Sequence, residues 1–124
     1  MKFLLFLFFA FLIFAGCTYS KKEVDYPATV TCDTMDAKFS TTLMPLLNAK
    51  CNTSGCHDAA SAAGGWQLNN YAGVKNVIDN GNGAFLNSIE QINTTSPMPK
   101  GGAKLSDCEI SKIKAWINAG ALQN

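Results

Sequence analysis

The sequence predicts an all-α fold, on the basis of two amphipathic segments, one helix-capping motif and the lack of strand-like alternation. Residues 70–81, NYAGVKNVIDNG, repeat apolar side chains with helical spacing and end in a glycine. Residues 105–121 begin with Ser106 and Glu109 at the spacing of a capping box, ahead of a second apolar stripe. No alternating apolar and polar pattern runs longer than four residues. We therefore expect three to five helices joined by long loops.

Two further helices and one irregular segment complete this prediction. Residues 39–51, FSTTLMPLLNAKC, indicate a helix that Ser40 or Thr41 caps and that runs into a cysteine. Residues 84–92, AFLNSIEQI, predict a shorter helix. Residues 93–105 are rich in proline and glycine and predict an irregular loop.

The first residues predict export and lipid anchoring. Lys2 precedes thirteen apolar residues, too few for a membrane-spanning helix of about 20 residues but suited to a secretory signal. Ala15-Gly16, directly before Cys17, resembles the lipobox of bacterial lipoproteins. The alternative is an ordinary signal peptide with an incidental cysteine. We expect residues 1–16 to be a signal peptide and Cys17 to be lipidated, which makes the protein a membrane-anchored lipoprotein facing the periplasm or the outer membrane.

The remaining chain divides into a leash and a domain. Residues 17–38 lack helical periodicity and predict a lipid-anchored tether and N-terminal strap, whereas residues 39–124 form the expected domain. Without the signal peptide, nine lysines balance nine acidic residues, and there is no arginine. Nucleic acid, which rewards clustered positive charge, is therefore not an expected partner. The lipid anchor provides the membrane contact instead.

Chemistry is concentrated in residues 51–57, CNTSGCH. Two thiols attach a c-type haem covalently and an adjacent imidazole ligates its iron, but four residues separate these cysteines instead of the usual two. The intervening residues all form turns readily, and Gly55 gives the second cysteine backbone freedom, so a bulge is feasible. The spacing alone leaves haem attachment, a disulfide between Cys51 and Cys56, and coincidence open.

His57 is the only histidine in the chain. Structural zinc commonly takes four Cys or His ligands, and no second closely spaced pair follows this motif. A haem iron on His57 would need another residue type as its sixth ligand, or would keep that position open. Met98 is the candidate because Pro97 and Pro99 stiffen the loop on both sides of it. Its alternative role is to fill an apolar gap.

Together these residues resemble the class I c-type cytochromes. The resemblance covers residues 39–121, and the closing segment LSDCEISKIKAWINAGA is especially similar to small cytochrome c domains of bacterial envelope proteins. It implies a cytochrome-c-like fold around one covalent haem c, with thioethers at Cys51 and Cys56, His57 as proximal ligand and Met98 as distal ligand. The attachment spacing is longer than usual in the family, and no proline follows His57 to orient its imidazole through a carbonyl.

With two cysteines assigned to haem, Cys32 and Cys108 remain in the mature domain. Thiols outside the cytosol tend to pair, so we expect these two to form a disulfide. On a helical wheel Cys108 lies away from the apolar stripe, where it can meet the N-terminal segment.

The function implied by this resemblance is electron transfer rather than enzymatic catalysis. A monohaem cytochrome c on a lipid anchor would relay electrons between redox partner proteins in the cell envelope. One alternative is a five-coordinate haem enzyme or sensor with peroxidase-like activity, if Met98 does not bind iron. The other is a haem-free lipoprotein, stabilised by disulfides, that binds other proteins.

Overall fold

A computed structural model describes residues 31–124, and within that range the chain is helical and contains no β-strand. This agrees with the all-α prediction. The signal peptide, Cys17 and the tether up to residue 30 lie outside the described residues. No helix in the described range has the length and apolar character needed to cross a membrane. The elements are a π-helical turn Phe39–Leu43, α1 Met44–Lys50, a 3₁₀ turn Ala63–Gly65, α2 Tyr71–Asn80, α3 Ala84–Glu90 and α4 Asp107–Asn118.

The first helical segment begins differently from the prediction. Neither Ser40 nor Thr41 caps it; the position before the π-helical turn is Lys38, whose side chain makes no capping bond. Instead, the Phe39 amide donates to Asn124 Oδ1 at 2.8 Å, and the Ser40 amide donates to the Asn124 carbonyl at 2.8 Å. The exposed amides at this helix start are thus satisfied from the far end of the sequence, a partner that local patterns cannot reveal.

Helix α2 begins and ends as predicted. The Asn70 side chain caps it by accepting from the Gly73 amide at 2.9 Å, and Gly81 follows its last turn. Gly73 is also a point of close approach, because a Cβ atom there would overlap the Gln67 carbonyl oxygen. Helix α2 therefore packs directly on the extended segment that precedes it.

We expect Gly73→Ala to lower the free energy of unfolding by about 1–3 kcal/mol, the usual range for forcing an extra methyl group into a filled site. The clash is with backbone, so no side-chain rotation relieves it. Chemical denaturation followed by far-UV circular dichroism measures the loss. Asn76→Ala, on the exposed side of the same helix, loses only an exposed hydrogen bond from Asn80 and should lower stability by less than about 0.5 kcal/mol; equal losses in the two variants would contradict the packing argument.

Helix α4 is capped at both ends. The Ser106 amide donates to Glu109 Oε2 at 2.8 Å and the Glu109 amide donates to Ser106 Oγ at 3.3 Å, which confirms the capping box. At the other end, Gly120 has a φ of +98°, and the Ala121 amide donates to the Trp116 carbonyl at 3.0 Å. This is the Schellman arrangement that glycine favours.

The capping box makes part of the stability depend on pH. The hydrogen bond from the Ser106 amide is the main cause that lowers the pKa of Glu109 in the folded chain. A lowered folded-state pKa means that the stabilisation is present above the unfolded pKa and is lost as pH falls through the folded one. We expect Glu109→Gln to cost about 0.5 kcal/mol at pH 7 and progressively less as pH falls through the lowered pKa of Glu109, measured by urea unfolding at a series of pH values. A cost that does not decline as pH falls would contradict this origin.

The helices pack together around a core that includes Trp116 of α4. The centroid of the Phe39 ring lies 5.1 Å from that of Tyr71 and 5.6 Å from that of Trp116, so the π-helical turn, α2 and α4 meet at one aromatic contact. The Tyr71 hydroxyl donates to the Ala121 carbonyl at 2.9 Å. The buried members are Phe39, Leu43, Leu47, Cys51, Leu68, Val74, Val77, Phe85, Ile89, Leu105, Ile110, Ile113, Trp116 and Ala121.

The strap before the first helix is attached to α4. The sulfur atoms of Cys32 and Cys108 lie 2.12 Å apart, at disulfide distance, and their Cα atoms are 5.4 Å apart. This agrees with the predicted pair. Residues 31–38 belong to the same compact unit as the helices, which spans Thr31–Asn124, and Ala37 packs against the core.

Candidate functional site

The CNTSGCH segment forms a turn-rich loop directly after α1. The amide of Cys51 still bonds to the Leu47 carbonyl at 2.8 Å, as in a last helical turn. Cys51 is buried within the core cluster, whereas Cys56 is half-buried. Within residues 31–124 neither of them takes part in a disulfide. The described cysteines thus separate into one bonded pair and two thiols in this loop.

Backbone hydrogen bonds close this loop on itself. The His57 amide donates to the Cys51 carbonyl at 3.1 Å, and the Cys56 amide donates to the Thr53 carbonyl at 2.9 Å. Gly55 has a φ of +83°, with open space where a Cβ would lie. Thr53, Ser54 and Gly55 are exposed, so the middle of the loop bulges outward, which the turn-forming sequence makes feasible.

The two thiols have different surroundings. Burial, and secondarily the nearby Cys56, raise the pKa of the Cys51 thiol to about 11. The Thr53 hydroxyl lies 3.3 Å from Cys56 Sγ and donates to it. Of the two thiols, Cys56 is the more accessible to reagents in solution.

In the haem-free chain we expect iodoacetamide at pH 8 to alkylate Cys51 at least about tenfold more slowly than Cys56, because the thiolate is the reactive form and burial suppresses it. Quenched time points followed by peptide mass spectrometry give both rates. Urea at unfolding concentration is the control and should bring the two rates together. Equal rates in the folded chain would contradict the burial of Cys51.

The imidazole of His57 is oriented by a backbone carbonyl. Its Nδ1 lies 2.9 Å from the Trp66 oxygen. Since a carbonyl only accepts, Nδ1 carries the hydrogen of that bond, and in the neutral ring the Nε2 lone pair remains available for a metal. No proline follows His57 directly, and the carbonyl that its ring contacts belongs to Trp66, nine positions further along the chain.

A tight turn delivers the Trp66 carbonyl to that position. Gly64 and Gly65 have φ values of +65° and +82°, conformations that side chains rarely adopt. The Leu68 amide donates to the His57 carbonyl at 2.9 Å, and this bond holds the segment around Leu68 against the segment around His57. The Trp66 side chain is half-buried and packs against the core. The Gly64-Gly65 pair indicates a turn in the sequence. It does not indicate that the Trp66 carbonyl contacts His57.

The backbone hydrogen bonds of Met98 go to the end of α3 and not to this loop. Its amide donates to the Ser88 carbonyl at 2.9 Å, and its carbonyl accepts from Gln91 Nε2 at 3.3 Å. These bonds hold the residue against the end of α3, with its side chain half-buried. The structure thus brings Cys51, Cys56 and His57 into one loop and anchors Met98 on another element.

The sequence assigned no specific contact to two polar residues, one within this loop and one directly after it. Asn52 Nδ2 donates to Asn48 Oδ1 at 2.8 Å and to the Leu68 carbonyl at 2.9 Å, while its Oδ1 is buried without a partner among residues 31–124. Asp58 is the second, and its carboxylate accepts from several loop amides. The Ser61 amide first, then that of Ala60, lowers the pKa of Asp58. Asn52 directly follows Cys51, and Asp58 directly follows His57. These positions could have drawn attention to both residues, but only the loop geometry shows what each side chain contacts.

The donor atoms do not converge on one point. Among the described residues there is no group of three or more His, Cys, Asp or Glu side chains that could hold a metal ion. Two thiols outside any described disulfide and one oriented imidazole lie in the same loop. These residue types are the ones that would hold a c-type haem, through two thioethers and one iron ligand.

Comparison of the chain with protein-family models, with curated proteins and with solved structures finds no match.

Proposed function

We propose that this protein is an electron carrier: a monohaem c-type cytochrome domain of class I, held at a membrane by a lipid on Cys17. The supporting observation is the hydrogen bond of 2.9 Å between His57 Nδ1 and the Trp66 carbonyl, in the same loop as two thiols outside any described disulfide. That bond prepares Nε2 as a ligand, and second-shell bonds of this kind orient metal-binding histidines generally.

In this proposal Cys51 and Cys56 hold the haem, His57 is the proximal ligand and Met98 the distal ligand. When bound, the haem supplies one-electron redox chemistry at a potential that His/Met ligation raises. The Trp66 carbonyl keeps the His57 ring in one tautomer and one orientation. Cys51 itself is a core residue, so a haem attached there would lie beside apolar side chains.

The cellular setting follows from the expected export. A lipidated Cys17 and a tether place the domain at a membrane surface of the cell envelope, where redox partner proteins exchange electrons with it. An electron carrier needs no nucleophile or general base, and the single imidazole is assigned to the iron.

The test is co-expression of the full chain with cytochrome c maturation factors, followed by intact mass and a pyridine haemochrome spectrum. We expect one added haem mass that acid-acetone does not extract. Replacing Cys51 and Cys56 by alanine should abolish the added mass. The matched control replaces Cys32 and Cys108 by serine, which removes as many thiols and should leave the haem attached. A wild-type chain of unmodified mass would overturn the proposal in favour of a haem-free binding lipoprotein.

The role of Met98 has a separate test, because its backbone is anchored on α3 and not on the attachment loop. We expect the reduced wild type to be low-spin and Met98→Ala to be high-spin. Met44→Ala, which removes a half-buried methionine that packs on the core, is the control and should stay low-spin. A wild type that is already high-spin, with no change in Met98→Ala, would replace the carrier by a five-coordinate enzyme or sensor.

A further inference from the structure

We propose that Asp58 is the positioning residue that makes the long cysteine spacing usable: its carboxylate holds the Cys51–Cys56 bulge in the shape needed for attachment at both thiols. This inference rests on the proposed function, because it concerns how the loop accepts its haem. It adds a residue with no part in binding the group itself.

The carboxylate joins the interior of the bulge to the chain beyond the histidine. Asp58 Oδ2 accepts from the Gly55 amide at 3.0 Å, and Oδ1 accepts from the Ala60 and Ser61 amides at 2.8 Å each. Hydrogen bonds to an ionised carboxylate are roughly twice as strong as neutral ones. Both oxygens of one side chain thus hold amides on either side of His57.

The bond to Gly55 distinguishes this arrangement from an ordinary turn. An aspartate that only stabilises a turn accepts from amides two or three residues later, which accounts for Ala60 and Ser61. The Gly55 amide lies three residues before Asp58, between the two cysteines, and it also donates to Ser61 Oγ at 3.1 Å. The acceptors of Asp58 and Ser61 therefore converge on the one glycine of the bulge.

The geometry matters because attachment occurs at both ends of the bulge. Each cysteine thiol adds its S–H across a vinyl double bond: the sulfur forms a carbon–sulfur bond, the proton goes to the other vinyl carbon, and no oxidant is needed. With two residues between the cysteines, the short turn alone limits where the sulfurs lie. With four residues, the chain between them has more conformations, and the Asp58–Gly55 bond removes many of them.

The experiment combines a substitution at Asp58 with a change in loop length. Asp58→Asn keeps the size of the side chain but replaces one acceptor oxygen by an NH₂ group, which cannot accept. The variant can therefore accept from Gly55 or from the Ala60 and Ser61 amides, but not from both sides of His57 at once. It is made in the native loop and in a loop lacking Thr53 and Ser54, which leaves two residues between the cysteines. These four full-length chains, together with the control variant in each loop, are co-expressed with maturation factors, and the fraction with haem bound through two thioethers is measured by intact mass and pyridine haemochrome spectrum.

In the native loop we expect Asp58→Asn to lower the doubly attached fraction roughly fivefold, and in the shortened loop by less than about twofold. Asp79→Asn, which breaks the exposed ion pair of Asp79 with Lys75 on α2, is the matched control and should leave the fraction unchanged in both loops. A purely structural aspartate would act equally at both loop lengths.

Each other outcome contradicts the inference. Equal losses in the two loops, no loss in either, or failure of Asp58→Asn to accumulate in both would show that Asp58 stabilises the chain without serving the long spacing. A shortened loop that takes up no haem would contradict the premise of the inference, namely that a short turn alone places both thiols for attachment. A wild-type chain without haem is a different result, because it overturns the proposed function itself.

Discussion

Trp116→Ala is expected to lower the free energy of unfolding by about 3–5 kcal/mol, the range for removing a large aromatic side chain from a core. The Trp116 side chain is only 1% exposed. Its ring lies 5.6 Å from that of Phe39, and its Nε1–H donates to the Leu122 carbonyl at 2.8 Å. The substitution therefore opens a cavity and leaves a carbonyl without its donor. Denaturant unfolding followed by far-UV circular dichroism measures the change.

Two variants separate the contributions at this position. Trp116→Phe keeps an aromatic ring and loses the Nε1–H donor, so its cost should be clearly smaller than that of the alanine variant. Trp66→Ala removes the other tryptophan, which is half-buried at the edge of the core, and should also cost less. A Trp116→Ala variant no less stable than Trp66→Ala would contradict the central place of Trp116 in the packing.

Replacement of both Cys32 and Cys108 by serine is expected to cost about 4 kcal/mol of unfolding free energy. The two cysteines are 76 positions apart, and the chain-entropy model gives about this value for a loop of that length. The bond matters more here than in a large protein because a domain of this size buries a limited core. Urea unfolding of the mature chain with and without the substitutions measures the difference.

The reductant dependence provides the control for this second prediction. Dithiothreitol should destabilise the wild type to nearly the level of the serine variant, while the serine variant itself should not respond. A wild type that is insensitive to reductant, or a serine variant of unchanged stability, would contradict the contribution of this disulfide.

The helices that the sequence predicted well are those whose determinants are local. Helix α2 has its cap, apolar face and final glycine within residues 70–81, and α4 has a complete capping box at Ser106 and Glu109. Each of these signals acts between residues at most four positions apart. The prediction that Ser40 or Thr41 caps the first helical segment was wrong, because the amides at its start bond to Asn124, 85 positions from Phe39.

The candidate site divides along the same line. The positions of Cys51, Cys56 and His57 in one loop followed from the sequence, since they are neighbours in the chain. The Trp66 carbonyl and the Asp58 carboxylate did not, because a backbone oxygen has no residue signature and an aspartate in a polar loop has many ordinary roles. The disulfide between Cys32 and Cys108 could be predicted because the resemblance assigned the other two domain cysteines to haem and export favours pairing.

The position of that disulfide also determines how the domain responds to tension. Cys51, Cys56, His57 and Met98 all lie between the two bonded cysteines in sequence. A pull on the chain ahead of Thr31 passes through Cys32 and across the sulfur bridge to α4, and the 75 residues between the bonded pair cannot be drawn out in line with the force. If residues 17–30 form the predicted tether, a force on it would therefore leave the segment that carries the candidate ligands unextended.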